Sequence, residues 1–317
     1  MLVKLDTQAT IPIARRLQLE QGDLRISARA SYALGRVSVL IPSYVRAEDL
    51  RTTLSHTVAQ RYRDKEIIVV DDGTPDSTIL DTVKQFPSVT YLRTPANLGL
   101  IGARNYGAAR CTGEFIVNLD DDSWLEDDSG LDLIVSFMRE HPRTGVAALN
   151  IRLLGEGYLW RLDSDSIRLR TYKGCGNVYR QEVIRSAGEY IREFYRQGEE
   201  VERSLRIMDA GFEIRSAPGI RVFHAQSPIN RNRARHLAFE AVNYLRKELI
   251  RAPFWLLPLG CVRALRFAVR HRREIDRKLY FSELFGTRVP LLTFVLRYRA
   301  PVSTRTYFAA LALGRQG

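Results

Sequence analysis

The run Phe115-Ile116-Val117-Asn118-Leu119-Asp120-Asp121-Asp122 is a mostly apolar stretch that ends in three carboxylates. As a buried strand it would deliver those acids to the carboxyl edge of a sheet, where open α/β folds bind their ligands. Three adjacent acids repel one another unless a cation neutralises them. Oxygen donors of this kind suit Mg²⁺ or Mn²⁺, whose shells are usually completed by water and phosphate oxygens. The stretch therefore points to a divalent metal working on a phosphate ester, although by itself it would serve equally as a solvated acidic turn. Other acids follow the same logic. Glu66–Val70 (EIIVV) ends in Asp71-Asp72-Gly73-Thr74. Carboxylates after a strand accept a base N–H or a ribose hydroxyl, or simply close a turn. His224 follows the short apolar run from Ile220 to Phe223. Facing the acids it would be a metal ligand, and otherwise a satisfied structural side chain. Asp163-Ser164-Asp165 is a rival acidic triplet, but it follows no buried strand and reads as a loop.

The elements that must position these groups alternate. Arg36–Ile41 (RVSVLI) is a strand that runs into Pro42-Ser43-Tyr44. Glu48 and Asp49 then favour a helix start, with Leu50, Leu54 and Val58 at helical spacing. Val89–Leu92 is a third strand, and Asn97–Gly107 opens a helix through several glycines. That helix start offers free N–H groups to an anion, and Arg104 could reach a phosphate or base bidentately. The glycine spacing does not match the dinucleotide fingerprint. Leu131, Leu133, Ile134, Phe137 and Met138 predict a helix, and Val146–Asn150 a strand. The order is that of a layered α/β sheet. Beyond residue 152, Tyr172–Asn177 is glycine-rich, fit for a pocket lining or a tight turn. Residues 198–206 predict a helix that turns Val201, Leu205 and Met208 to the core and pairs Glu202 with Arg206 on the surface. Phe212–Ile214 and Ile220–Phe223 read as two short strands. Near the start, LRISARASY is compatible with a strand pair of no assigned role.

Composition bounds the answer. A chain of 317 residues with 45% hydrophobic and 26% charged residues can bury a full core. Cys111, Cys175 and Cys261 are odd in number and far apart, which argues against a disulfide framework and fits a reducing compartment. The first residues hold no continuous apolar segment of the secretory type, and no apolar run is long enough to span a bilayer. The net charge of +12 is concentrated: residues 228–317 carry 18 Lys and Arg against 5 Asp and Glu. Such a block favours an anionic partner. From Phe254 on, Trp255, Leu256, Leu257, Val262, Leu265 and Val269 alternate with Arg263, Arg266, Arg270, Arg273 and Arg277. A helix would gather these arginines into one stripe beside an apolar face, as in helices that lie in a membrane interface. Pro258 and Gly260 would shorten it at the start. A core-packed helix with a solvated basic face fits the pattern equally well. Nucleic acid is disfavoured, because no binding module accompanies the charge.

Taken in order, VSVLIPSYVR, EIIVVDDGTPD, NLGLIGARNYGA, FIVNLDDDS, GCGNVYRQEVIRSAGEY and GEEVERSLRIMDAGFEI resemble the segments of the family-2 glycosyltransferases, over about Val37 to His224. The resemblance implies a GT-A fold, a mixed α/β sheet flanked by helices. It divides the chain into an extension (1–35), a catalytic domain (36–227) and a basic helical region (228–317). It implies an inverting, metal-dependent enzyme using Mn²⁺ or Mg²⁺. Its donor would be a nucleotide sugar of the UDP or dTDP type, and its acceptor a glycan or lipid-linked hydroxyl on the cytoplasmic side of a membrane. Pro42, Ser43, Tyr44, Asp71, Asp72, Arg104, Asp120 and Asp121 would surround the nucleotide sugar. Asp120 and Asp122 would be the outer positions of the DxD motif, with Asp122 the direct metal ligand and His224 near the pyrophosphate and metal. Gly174, Cys175 and Gly176 would line the acceptor side. Glu199-Glu200 stands where the family usually has Glu-Asp, which makes Glu200 the general base. Two other readings compete. One is a non-catalytic, membrane-associated scaffold on the same fold. The other is a nucleotidyltransferase, which would carry a basic glycine-rich motif at the first strand that PSYVRAED does not supply.

Overall fold

A computed structural model describes residues 32–153, 157–162, 165–226, 232–286 and 289–313. The N-terminal segment expected to form a strand pair, up to residue 31, and Asp163-Ser164 of the rival triplet lie outside the described residues. From Tyr32 on, the chain is one compact unit.

The elements run β1 (Ala33–Ser43), α1 (Ala47–Ala59), β2 (Lys65–Asp71), α2 (Thr78–Val83), β3 (Val89–Arg93), α3 (Gly99–Ala108), β4 (Gly113–Asn118), β5 (Ser123–Leu125) and α4 (Gly130–Glu140). They continue through β6 (Thr144–Leu153), β7 (Tyr158–Trp160), β8 (Asn177–Arg180), α5 (Gln181–Ala187), α6 (Glu199–Asp209) and β9 (Glu213–His224). The C-terminal layer is α7 (Arg233–Arg251), α8 (Leu257–Arg270), α9 (Arg277–Leu284), α10 (Leu291–Tyr298) and α11 (Thr304–Leu313). The strands form one mixed sheet in the order β3-β2-β1-β4-β8-β6-β9-β5, with β7 on β6. β3, β2, β1 and β4 are parallel. β8 runs antiparallel to both β4 and β6, and β5 pairs antiparallel with β9.

The parallel strands read as continuous apolar runs because both faces are covered. Val37, Val39, Ile41, Val69, Phe115 and Val117 are all fully buried. Helices α1 and α4 supply the other half of that core through Leu50, Leu54, Leu131, Ile134 and Met138. Gly107 of α3 lies where a Cβ would run into Leu40 and Val70. That glycine serves helix–sheet packing, not phosphate approach.

Four expectations are corrected. The two short strands near the end of the sheet are one strand, β9, which runs alongside β6. Pro258 and Gly260 do not shorten α8. Pro258 sits in the first turn, where proline is tolerated, and Gly260 lies against Glu248 of α7, where a Cβ would collide. The arginine stripe is not continuous, because α8 stops at Arg270 and Arg277 opens α9 after a turn. Finally, Glu202 and Arg206 pair as i, i+4, but not on the surface: Glu202 is fully buried and also takes Arg251 of α7 at 2.6 Å. The C-terminal layer covers α6, with Leu205 packed against Ala252, Val302, Tyr307 and Ala310.

Candidate functional site

Strand register assembles the acids. β1 and β2 end side by side, with Ser43 opposite Asp71, and β1 carries Leu40 opposite Asn118 of β4. The loop after β4 therefore places Asp120–Asp122 over the same edge as Ser43 and Asp72. β5 begins one residue later, and its Ser123 lies directly opposite His224. That pairing brings the imidazole to the acids: Nε2 is 3.0 Å from Oδ1 of Asp122 and 3.9 Å from Oδ2 of Asp120. Nδ1 of His224 is buried without a hydrogen-bond partner among the described residues.

Arg46, which the sequence reading passed over, lies across the acid cluster. Its guanidinium bridges Asp121 at 2.7 Å and Asp122 at 2.5 Å while Nε holds Asp49. Its position as the first cation after Pro42, at the sheet edge, was the available signal. The Ser43 hydroxyl donates to Asp121 at 2.9 Å. Burial pushes the Asp121 carboxyl up to about 7, against the pull of Arg46 and Ser43. Burial acts upward on Asp122 too, but His224 and Arg46 outweigh it and hold this carboxyl well below the usual carboxylate range. Two neighbouring acids are thus driven apart, with Asp122 the one kept ionised.

Asp71 and Asp72 both have partners within the protein. Asp71 is fully buried and accepts from the Thr74 N–H, the Tyr91 hydroxyl and Arg93. Asp72 accepts from the N–H groups of Leu98 and Gly99, both at 2.8 Å, and from the Thr94 hydroxyl. The start of α3 was expected to offer free N–H groups to a ligand anion. The anion there is Asp72 itself, which is a favourable site for a carboxylate. Burial still raises the Asp72 carboxyl, against these hydrogen bonds.

Arg104 connects the acid cluster to the start of α6. It is 3% exposed and holds Asp120 at 2.6 Å. Burial opposes its charge, but Asp120, then Tyr190, Glu200 and Glu199, outweigh burial and keep it ionised. On its other side a Cβ placed on Gly174 would sit 2.5 Å from Arg104 Nη1 and 2.6 Å from Glu200 Oε1. Only glycine leaves that gap. The 173–176 loop is pinned there by Asn177, whose amide donates to the carbonyls of Lys173 and Gly174 and accepts from Asn118. Cys175, expected on the acceptor side, has its thiol 3.2 Å from the Ser123 hydroxyl and grouped with Asp120 and His224.

Glu199 is buried, with Oε2 unpartnered among the described residues, and Glu200 is half-buried. Burial raises the Glu199 carboxyl, and the adjacent Glu200 raises it further. Glu200 is raised as well, burial leading, with Arg104 and Lys173 pulling the other way. A carboxyl held above its usual range by burial, with cations nearby, is suited to proton abstraction near neutral pH. The turn before this pair is strained: Tyr195 and Gln197 have φ of 58° and 67°, and Gly198 has 86°. Asn243 of α7, 1% exposed, holds that turn by donating to the carbonyls of Phe194, Arg196 and Gln197 at 2.7–2.9 Å. Nothing in the local pattern of α7 distinguishes this asparagine, and its role is legible only from the tertiary contact. One turn into α6, the Arg203 guanidinium lies between the Tyr179 and Tyr190 rings, at 4.7 and 4.3 Å from their centroids.

Asp120, Cys175 and His224 offer ligand atoms within 4.8 Å of one another, with Asp122 in contact with His224. This set of a carboxylate, an imidazole and a thiol, with a second carboxylate against the imidazole, fits a divalent ion.

Comparison with known proteins bears on the fold and the family. The chain is 24% identical over 200 residues to a poly-β-1,6-N-acetyl-D-glucosamine synthase of Staphylococcus epidermidis, covering 57% of this chain and 48% of that protein. It thus spans about half the length of such curated relatives. Among solved structures, GalNAc-T7 with UDP, GalNAc and Mn²⁺ superposes with a TM-score of 0.58 at 17% identity, over 81% of this chain and 58% of that one. S. aureus TarS 1–349 in complex with UDP superposes with a TM-score of 0.53 at 18% identity, over 89% and 92%. At these identities the structures establish the GT-A fold. The family model described as glycosyl transferase family 2 matches residues 38–196, half of the chain, and the chain belongs to that family.

Proposed function

We propose that the chain moves a sugar from a UDP- or dTDP-type donor to a hydroxyl of a glycan or lipid-linked acceptor, in cell-surface polysaccharide or glycoconjugate synthesis on the cytoplasmic side of a membrane. The observation that carries this reading is the position of Arg104. It holds Asp120 of an acid–imidazole cluster suited to a metal diphosphate, and it faces Glu200 of a raised carboxylate pair, suited to an acceptor hydroxyl, across Gly174. The relatives' names and the UDP in two structural neighbours support the donor class.

In this reading Asp120, Asp122 and His224, with Cys175 beside them, would hold Mn²⁺ or Mg²⁺, which when bound would neutralise charge on the leaving diphosphate. Pro42, Ser43, Tyr44, Asp71, Asp72 and Asp121 shape the nucleotide end. Arg104 fixes Asp120 and faces Glu200 across Gly174, so the donor and acceptor sides keep a set spacing. Glu200 takes the proton from the acceptor hydroxyl, and burial keeps its carboxyl basic against the pull of Arg104. One displacement from the side opposite the diphosphate inverts the anomeric centre.

The test is calorimetric titration of nucleoside diphosphates and their sugars with and without Mn²⁺. Metal-dependent binding of one nucleotide is expected, lost in Asp122→Asn at a temperature where circular dichroism shows that variant folded. No binding under either condition would make the chain a non-catalytic scaffold on this fold.

A further inference from the structure

Eleven of the twenty exposed large hydrophobic side chains among the described residues lie between Phe254 and Phe308. The densest run is a single element. Phe254 and Trp255, 76% and 69% exposed, occupy a 3-10 turn that leads into α8, where Val262, Leu265 and Val269 are 53%, 63% and 48% exposed. At 100° per residue, Pro258, Val262, Leu265 and Val269 fall within about 60° of one another on α8. Arg263, Arg266 and Arg270 fall in a second row about 100° around the helix. The third face carries Gly260 and Ala264, the buried positions, with Gly260 against α7. Gly260 and Ala264, with Leu257 and Phe267, seat the helix, Arg263 lies beside Tyr244 of α7, and Val262, Leu265, Val269, Arg266 and Arg270 are exposed.

We propose that the 254–270 segment is a docking surface for an anionic lipid bilayer, lying in the interface with its apolar row among the acyl chains and its arginines on the headgroups. Charge chooses this occupant. Residues 254–273 contain five arginines and no acid, so a second copy of the chain would face like charge, whereas an anionic surface is complementary. An apolar row beside a basic row, with a Trp at one end, is the arrangement of an interfacial helix. None of the helices, among the described residues, is long and apolar enough to cross a membrane, so the attachment is one of lying on the surface. The same layer carries two more exposed apolar pairs at i, i+4, Phe281 with Phe285 and Leu292 with Leu296. The proposal stands apart from the choice of sugar or acceptor.

Flotation of the full chain with vesicles tests it. Binding to phosphatidylglycerol–phosphatidylcholine vesicles should be at least tenfold tighter than to phosphatidylcholine alone. Leu265→Asp with Val262→Asp should weaken binding to anionic vesicles at least tenfold, and Arg266→Glu with Arg270→Glu should abolish the preference for anionic lipid. All four positions are exposed, so the unfolding midpoint and nucleotide binding should stay as in the parent, which separates a failure here from a failure of the proposed activity. Equal binding to both vesicle types, or no binding, overturns the proposal. So does a dimer that Leu265→Asp dissolves, which assigns the row to a second copy, and so does vesicle binding that requires removal of residues 1–31.

Discussion

Replacing Glu202 by Gln should destabilise the protein far more than its place on a charged helix suggests. Oε1 of Glu202 accepts from Arg251 Nε at 2.6 Å and from Arg206 Nε at 2.8 Å, and Oε2 accepts from Arg206 Nη2 at 2.7 Å. Glutamine keeps one oxygen and turns an NH₂ toward a guanidinium, so two cations lose their countercharge inside the protein. Removing one partner of a buried pair costs about 3–5 kcal/mol. Arg251 is 7% exposed, but Arg206 is 16% exposed and also donates to Ala187 and Glu189, which places the expected loss near the lower end, about 3 kcal/mol. In urea this is a midpoint fall of about 1 M. The pH dependence supplies a second reading. Burial alone would raise the Glu202 carboxyl, but Arg206 and Arg251 outweigh it and the folded value is lowered. A lowered carboxylate stabilises the fold above its unfolded value, about 4.3, and that contribution disappears as pH falls through the folded value. The gap between the parent and Glu202→Gln should therefore be full at neutral pH and narrow in acid. Glu274→Gln, which breaks the exposed pair with Arg233, is the control and should leave the midpoint in place. A Glu202→Gln midpoint indistinguishable from that control at neutral pH would refute the view that α6 is clamped by a buried charge cluster.

Gly174→Ala should fold normally, because the atoms in the way are the ends of the Arg104 and Glu200 side chains. It should lower turnover at least tenfold with little change in nucleotide affinity, since the methyl displaces Glu200; unchanged turnover counts against Glu200 acting beside Gly174. Glu200→Gln should lower turnover about a hundredfold or more. In the parent the acidic limb of kcat/KM should lie above about 4.3, because burial raises this carboxyl and it must lose its proton to act; a limb at or below that value speaks against Glu200 as the base. Asn243→Ala should reduce turnover while Mn²⁺-dependent nucleotide binding is kept, because it frees the strained 195–198 turn that presents Glu199 and Glu200 and leaves the acid cluster untouched. Parallel loss of both would instead mean general unfolding.

What could be read from the sequence was what is local. A parallel strand buried on both faces is a continuous apolar run, so RVSVLI, EIIVV and FIVNL announce themselves, as do the acids placed at their ends. The pairing of β5 with β9 is not local, and it alone makes His224 a neighbour of Asp122. Arg46, Asn243 and the three-sided use of Asp72 were missed for a related reason: each works through a partner from another element, and a lone arginine or asparagine has no periodicity to mark it.

The error at Glu202 shows what a one-dimensional pattern omits. An i, i+4 Glu–Arg pair signals a solvated face only if nothing packs over that face. Here α7 and the chain that follows it cover α6, and Arg251 turns a surface pair into a buried triad. The basic C-terminal layer therefore has two sides with separate duties. Its inner side, through Asn243 and Arg251, fixes the register and entry angle of the helix that carries Glu199 and Glu200. Its outer side leaves the 254–270 row exposed. The proposed bilayer-facing row and the helix that carries Glu199 and Glu200 are thus joined through α7 and α8 by packed contacts, one of them Gly260 against Glu248. Widening that contact with Gly260→Ala should loosen the seat of α8 without touching the acid cluster, so nucleotide binding with Mn²⁺ is expected to persist while the unfolding midpoint falls.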